Sequence, residues 1–181
     1  MCKSCIEDLK SNLEYDTVIA TAEIDGVSNN YWKGFNTFFA KGKNLGEKQH
    51  YVFEKLLNNY NSVVLIGIDI PQLSTKFIIN AFRYLENNNY VLGPSSDGGF
   101  YLFGSKSKID KEVWAKTEWS SSRTLETFVR SLNPKPYIIK EFSDVDDYQD
   151  LNKMIQEMPA FPSEKQLRLI NWVKSIDEFI K

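Results

Sequence analysis

The chain is poor in the residues that most side-chain chemistry depends on. Its 181 residues include two cysteines, Cys2 and Cys5, and one histidine, His50. A closed zinc site takes about four Cys or His ligands, and Cys2-Lys3-Ser4-Cys5 has no second pair to complete it. Cys2, Cys5, Ile6, Leu9 and Leu13 fall instead on one helical face. His50 sits in another helical pattern, before Tyr51, Val52 and Phe53, with no Ser or Cys motif beside it, which removes a histidine-activated nucleophile. A Walker A loop and a G-x-G-x-x-G fingerprint are both absent. Charge of one sign is absent too: 22 Lys and Arg face 24 Asp and Glu, for a net −2. No basic block tracks a phosphate backbone, so nucleic acid is not an expected partner. The longest apolar run, around Val63–Ile68, is far short of the roughly 20 residues that span a bilayer. Glu7 and Asp8 stand where a secretory leader needs apolar residues. A cytoplasmic protein without a membrane partner is the expectation.

What the chain does have is material for a core. Apolar residues make up 42% and aromatics 14%, and a single domain of this length buries roughly 70% of its unfolded surface. No repeat, low-complexity tract or linker interrupts it. After the first helix, Asp16–Glu23 is rich in β-branched residues and reads as a strand. Asp25–Gly34 reads as a loop and Phe35–Ala40 as a second strand. A helix follows with Phe53, Leu56, Leu57 and Tyr60 on its apolar face. Ser62–Asp69 is a continuous apolar run, the pattern of a central strand covered on both faces. Pro71 ends it, and Ser74 caps a helix with Phe77, Ile78, Ala81, Phe82 and Leu85 in one stripe. Tyr90–Pro94 and Phe100–Gly104 are two further strands. Ser120–Ser122 cap a helix carrying Leu125, Phe128, Val129 and Leu132. Tyr137–Phe142 is a strand, Asp146–Glu157 a helix with Leu151, Ile155 and Met158 inward, and Glu164–Ile180 a final amphipathic helix. Alternating strands and helices imply a three-layer αβα domain with a mostly parallel sheet.

In such sheets ligands gather beyond the carboxyl ends of the strands. Asp69 ends the central strand in IGIDIP, Asp97 lies in SSDGG after YVLGP, and Asp144 and Asp146 follow YIIKEF. Each alone is explained by local structure: a helix start for Asp69, an Asp-Gly turn for Asp97, a helix cap for Asp144–Asp147. All of them at one sheet edge suit a nucleotide–metal site, because Mg²⁺ is held by one or two carboxylates plus phosphate oxygens and water. Two other readings of DVDD fail in detail. A haloacid-dehalogenase motif wants threonine where Tyr148 stands, and an EF-hand loop wants glycine at Gln149 and an acid at Ile155.

Taken together, NLGEK (Asn44–Lys48), VVLIGIDIPQLS (Val63–Ser74), VLGPSSDGGFYLFG (Val91–Gly104), EWSS (Glu118–Ser121) and SDVDDYQDL (Ser143–Leu151) resemble one family. It comprises glycosyltransferase-A-like proteins labelled as transferases associated with radical-SAM or selenoprotein domains, related to molybdenum-cofactor and phospholactate guanylyltransferases. The resemblance runs to about Lys153. It implies a glycosyltransferase-A, nucleotide-diphospho-sugar-transferase-like domain over residues 1–160, with residues 161–181 a helix packed on it. It further implies a divalent cation, Mg²⁺ or Mn²⁺, and a nucleotide or nucleotide-sugar substrate. Asp69 and Asp97 would be the catalytic carboxylates. Asp69 with Asp144 or Asp146 would hold the metal, and Gly46, Gly98, Gly99, Trp119 and Ser120 would bind substrate.

The chain departs from the family pattern in two places. Asn44 replaces an acidic residue, and the opening strand with its basic loop, resembling K-x-P-x-x-G-x-x-K-T-R-L, has no counterpart. Lys48, Lys106 and Arg123 are then the substitute cations. The sheet would also lack a strand beside SVVLIGID, so that either the true start lies elsewhere, another segment fills the slot, or the domain closes up differently. An edge left open there would suit a homodimer seam. Two other functional classes follow: a degenerate homologue that binds or scaffolds without catalysis, and a generic α/β interaction domain whose acidic loops are solvated turns.

Overall fold

Helical periods of 3.6 alternate with short β-branched runs, and the chain folds accordingly into helices on both faces of extended segments. The computed structural model describes residues 3–10 and 14–180. Cys2 and Leu13, assigned above to the first helical face, lie outside the described residues, as does the Cys5 side chain. The helices are α1 (Lys3–Lys10), α2 (Leu45–Leu56), α3 (Thr75–Asn87), α4 (Lys111–Lys116), α5 (Thr124–Ser131), α6 (Asp150–Glu157) and α7 (Glu164–Ile180). The strands are β1 (Val18–Thr21), β2 (Asn36–Phe39), β3 (Val63–Ile66), β4 (Tyr90–Pro94), β5 (Phe100–Ser105) and β6 (Tyr137–Ile138). Two 3-10 turns, Ile24–Ser28 and Asn30–Trp32, fill the segment read as a loop. None of the described helices is long and apolar enough to cross a membrane.

The α/β architecture is the expected one, but the sheet is mixed rather than mostly parallel. Its larger part runs in the order β3-β5-β4-β6, with β5 antiparallel to both neighbours and β6 parallel to β4. The cause is the short connection Ser95–Gly99: five residues close a hairpin, whereas a parallel crossover needs a dozen or more. Strands β4 and β5 form the buried centre. Successive side chains point to opposite faces, so Val91 and Leu102 join one core cluster with Ile78, Ala81 and Leu85 of α3, while Leu92 and Phe103 join another with Phe53, Trp114 and Phe128.

The strand expected at the centre lies elsewhere. Strand β3 pairs with β5 on one side only, and β1 and β2 form a separate two-stranded parallel sheet. Of β3 only Val63 is buried, and Ile68 just beyond it is 53% exposed. The continuous apolar run of SVVLIGID is thus a doubly covered strand by composition and an edge strand by pairing. Among the described residues no strand pairs with its other edge.

Smaller differences have local causes. The segment Tyr137–Phe142 keeps only two ladder residues, joined later by the bridge Ser95–Phe142. Helix α4, unforeseen, is six residues long and starts on the Asp110 cap, which accepts from the Glu112 N–H. The serines before α5 build the preceding turn instead of capping it: Ser121 Oγ accepts from the Arg123 N–H at 3.0 Å, and the helix begins at Thr124. In α6 the fully buried residue is Met154; Leu151, Ile155 and Met158 are half-buried. The expected cap of α3 forms, with Ser74 accepting from Phe77 N–H, and α2 has a cap of its own in Asn44, which accepts from Glu47 N–H.

Helix α7 packs against α1 and α6 and buries Val173 and Gln166. Gln166 Nε2 donates to the carbonyls of Pro71 and Leu73, both at 3.0 Å, and so fixes the loop that leaves β3. Gln166→Leu keeps the volume and orphans two buried carbonyls, at a cost of about 2 kcal/mol. A melting temperature lower by roughly 4–8 °C is the expected result in a thermal melt.

Candidate functional site

A cleft of about 710 Å³ opens where β1 and β3 end, and Asp69, Asp97 and Asp144 all line it. Each carboxylate arrives by a different local device. Gly67 N–H donates to Tyr101 O at 2.8 Å, continuing the β3–β5 ladder for one residue before the chain turns. Asp69 follows, and its carbonyl accepts from Val145 N–H at 3.0 Å, which ties the β3 loop to the segment after β6. Asp97 sits in the β4–β5 hairpin turn, where its Oδ1 accepts from Gly99 N–H at 2.8 Å. Gly98 has φ +91, and a Cβ there would come within 2.1 Å of Ser122 O, so the turn requires glycine on both counts. Asp97 thus belongs to a turn and also lines the cleft.

Asp144 is placed by a buried polar network. Glu157 accepts from Ser143 N–H at 2.8 Å and from Ser143 Oγ at 3.0 Å. Gln72 Nε2 donates to Ser143 O at 2.6 Å and to Glu157 Oε2 at 2.9 Å. The loop carrying Asp69 and the loop carrying Asp144 are therefore held in one frame. Burial raises the Asp144 pKa above the ordinary carboxylate range, and the neighbouring charges of Asp97, Asp146 and Asp69 push it the same way. None of Asp69, Asp97 and Asp144 is in an ion pair among the described residues.

The remaining residues singled out from the sequence divide. Gly99, Trp119 and Ser120 line the cleft; Gly46, Gly98 and Asp146 do not. Asp146 is exposed, and its N–H, with that of Asp147, donates to Asp150 Oδ2 at the start of α6, the helix-cap role. Gly46 acts beneath Trp119: a Cβ on it would meet Trp119 Nε1 at 2.1 Å. Trp119 stacks on Trp114 at 5.9 Å and donates from Nε1 to Trp114 O at 2.8 Å. Ser120 next to it has φ 55, a left-handed conformation that non-glycine residues rarely adopt. Of the three substitute cations only Lys48 lines the cleft. Lys106 Nζ donates to Glu86 O, and Arg123 pairs with Glu118 and Glu126.

Several lining residues had no signal in the sequence. Thr21, Glu23, Asn29 and Trp32 come from the segment around β1 and its 3-10 turns, and Gln49 from α2. Gln49 Oε1 is buried and has no hydrogen-bond partner. In sequence Gln49 was one polar position in a helical period, with nothing to separate it from a solvated one. No three His, Cys, Asp or Glu side chains among the described residues form a group that holds a metal by itself. The donor set fits the other mode, in which Mg²⁺ or Mn²⁺ rests on one or two carboxylates and takes its remaining ligands from phosphate and water.

The domain is an α/β fold, a mixed sheet covered by helices with Asp69, Asp97 and Asp144 lining one cleft, and this fold is shared with a solved structure. The crystal structure of a Desulfovibrio desulfuricans G20 protein, described provisionally as a nucleotide-diphospho-sugar transferase, superimposes with a TM-score of 0.76 at 22% identity, covering 94% of this chain and 84% of that one. The chain belongs to the family described as "Uncharacterized protein conserved in bacteria (DUF2064)", whose profile matches residues 7–121. No curated protein matches it significantly.

Two substitutions test the local account. Gly46→Ala displaces Trp119 from Trp114, so tryptophan emission changes and stability falls by about 1–3 kcal/mol from overpacking. Asp144→Asn has the opposite sign. A raised folded-state pKa means the folded chain binds the proton more tightly than the unfolded one, so stability is lost as pH rises through that pKa. The asparagine variant is expected to melt up to about 2 °C above wild type at pH 7, with the gap closing below the ordinary carboxylate range.

Proposed function

We propose that the chain is a divalent-metal-dependent transferase of the glycosyltransferase-A type, acting on a nucleotide or nucleotide-sugar. One observation carries the reading: Asp69, Asp97 and Asp144 line a single cleft without cationic partners among the described residues. Three uncompensated carboxylates on one concave surface are stabilised by a cation, and a cation bound there attracts phosphate. The fold likeness and the narrower motif resemblance to radical-SAM- or selenodomain-associated transferases support the same reading.

Asp69 and Asp144 are the residues that would hold Mg²⁺ or Mn²⁺, on loops fixed by Glu157 and Gln72. When bound, the cation supplies charge neutralisation for the donor phosphates. Asp97, on a turn fixed through Gly98 and its own contact with Gly99, would be the residue that receives the acceptor's proton. Trp119 offers an aromatic face, stacked and hydrogen-bonded in place, against which a base or sugar rests. Transfer between phosphates needs positioning and charge neutralisation more than a protein nucleophile, which agrees with the lack of a Ser or Cys next to His50.

A second reading, a non-catalytic homologue that binds without turnover, is favoured by a specific feature: Lys48 is the one lysine or arginine among the described residues lining the cleft. A thermal-shift panel of nucleoside triphosphates and nucleotide-sugars, with and without Mg²⁺ or Mn²⁺, followed by a turnover assay on the stabilising donor, separates the two. The transferase reading expects a metal-dependent shift and turnover that falls roughly a hundredfold or more in Asp69→Ala. A metal-dependent shift with no turnover leaves the binding module, and a flat panel removes both.

A further inference from the structure

One polar side chain interrupts the buried stripe of α2. Residues three and four apart share a helix face, so Gln49 lies between Gly46, one turn before it, and Val52 and Phe53, one turn after. Gly46, Val52 and Phe53 are all buried, and Gly46 sits beneath Trp119. Gln49 is therefore where the stripe passes from the core to the cleft, whose lining it shares with Lys48, Val52 and Trp119. Its Oε1 is buried and accepts no hydrogen bond.

An orphaned buried acceptor costs stability, because the water it gave up is not replaced. Leucine or methionine at this position would complete the stripe without that cost, and both are good helix formers. An amide kept there against the interest of folding fits a group whose partner arrives with a ligand. The terminal torsion of a glutamine is broad, so the oxygen can turn from the stripe toward the cleft.

The surroundings define the ligand's chemistry. Trp119 is held by its stacking on Trp114 and by Nε1 donating to Trp114 O. Its contact with Gly46 puts an indole and the Gln49 amide on neighbouring turns of one helix face. Trp32 adds a second indole to the lining. Indole faces take flat rings, and an amide oxygen takes an N–H at a ring edge. A heteroaromatic base offers both at once.

We propose that Gln49 is the specificity-determining residue for the nucleobase, its Oε1 accepting a ring-edge N–H while the base stacks on Trp119. This rests on the reading of the cleft as a nucleotide site and adds to it the atom that selects the base.

The test compares ADP, GDP, CDP and UDP with inorganic pyrophosphate, each with Mn²⁺, by titration calorimetry on the wild-type chain, Gln49→Met and Gln49→Leu. Reading each nucleotide against pyrophosphate in the same protein separates the base from the metal and the phosphates. In wild type the preferred base is expected to bind about tenfold tighter than the weakest, roughly what one hydrogen bond supplies. In both variants that spread falls to about threefold or less. Without ligand, Gln49→Met is expected to melt at or above the wild-type temperature, since an apolar side chain of similar length removes the orphaned oxygen. A melt lower by more than about 2 °C in both variants means that the amide is already paired in the resting protein, and overturns the proposal. A base preference that survives both substitutions overturns it too. Pyrophosphate bound with no base preference in wild type overturns this inference alone, whereas no binding of any probe overturns the nucleotide-site reading with it.

Discussion

Glu157 is the residue on which the arrangement of the site depends. Its two oxygens take the N–H and hydroxyl of Ser143 and the amide of Gln72, three donors from two loops that approach each other only in the folded chain. A carboxylate that accepts several hydrogen bonds aligns the groups that donate them. The loops it aligns are those that deliver Asp69 and Asp144. Gln166 adds a second restraint from outside, holding the Pro71 and Leu73 carbonyls to α7. The C-terminal helix is therefore coupled to the cleft through the chain's own backbone.

Against that rigid frame the electrostatics of the cleft are unbalanced. Asp144 feels Asp97, Asp146 and Asp69 as repulsive neighbours, and Lys48 alone among the described lysines and arginines reaches the lining. Folded chains seldom keep such repulsion without a use, because the same burial that raises a pKa also costs stability. A divalent cation would relieve it, and the proposed transferase activity rests on that.

Much of this was legible in sequence, and the exceptions share a cause. Periodicity found each helix of eight residues or more, because a helix declares itself within its own segment: Ile78, Ala81 and Leu85 fall on one stripe and are buried on one face. That Asp69, Asp97 and Asp144 lie on one cleft was legible because strand ends in an α/β sheet converge. What could not be read was pairing. Ser62–Asp69 has the composition of a central strand, yet centrality is a property of neighbours, and β3 has one. The antiparallel turn between Pro94 and Phe100 is written in Asp97-Gly98, and five residues leave no room for a parallel crossover. Asp144 and Asp146 looked equivalent, two residues apart; the structure separates them because Asp146 is bound into the turn that starts α6. Gln49 and Trp32 were silent, since a cleft assembled from α2 and a 3-10 turn leaves no spacing in the chain.

The most direct test of the central claim is electron paramagnetic resonance of Mn²⁺ added to the chain with a nucleoside diphosphate. The account requires the free Mn²⁺ signal to fall by about one equivalent per chain when the nucleotide is present, and to return in Asp69→Ala. Unchanged free Mn²⁺ in the folded wild-type chain, with every nucleotide tried, would contradict it.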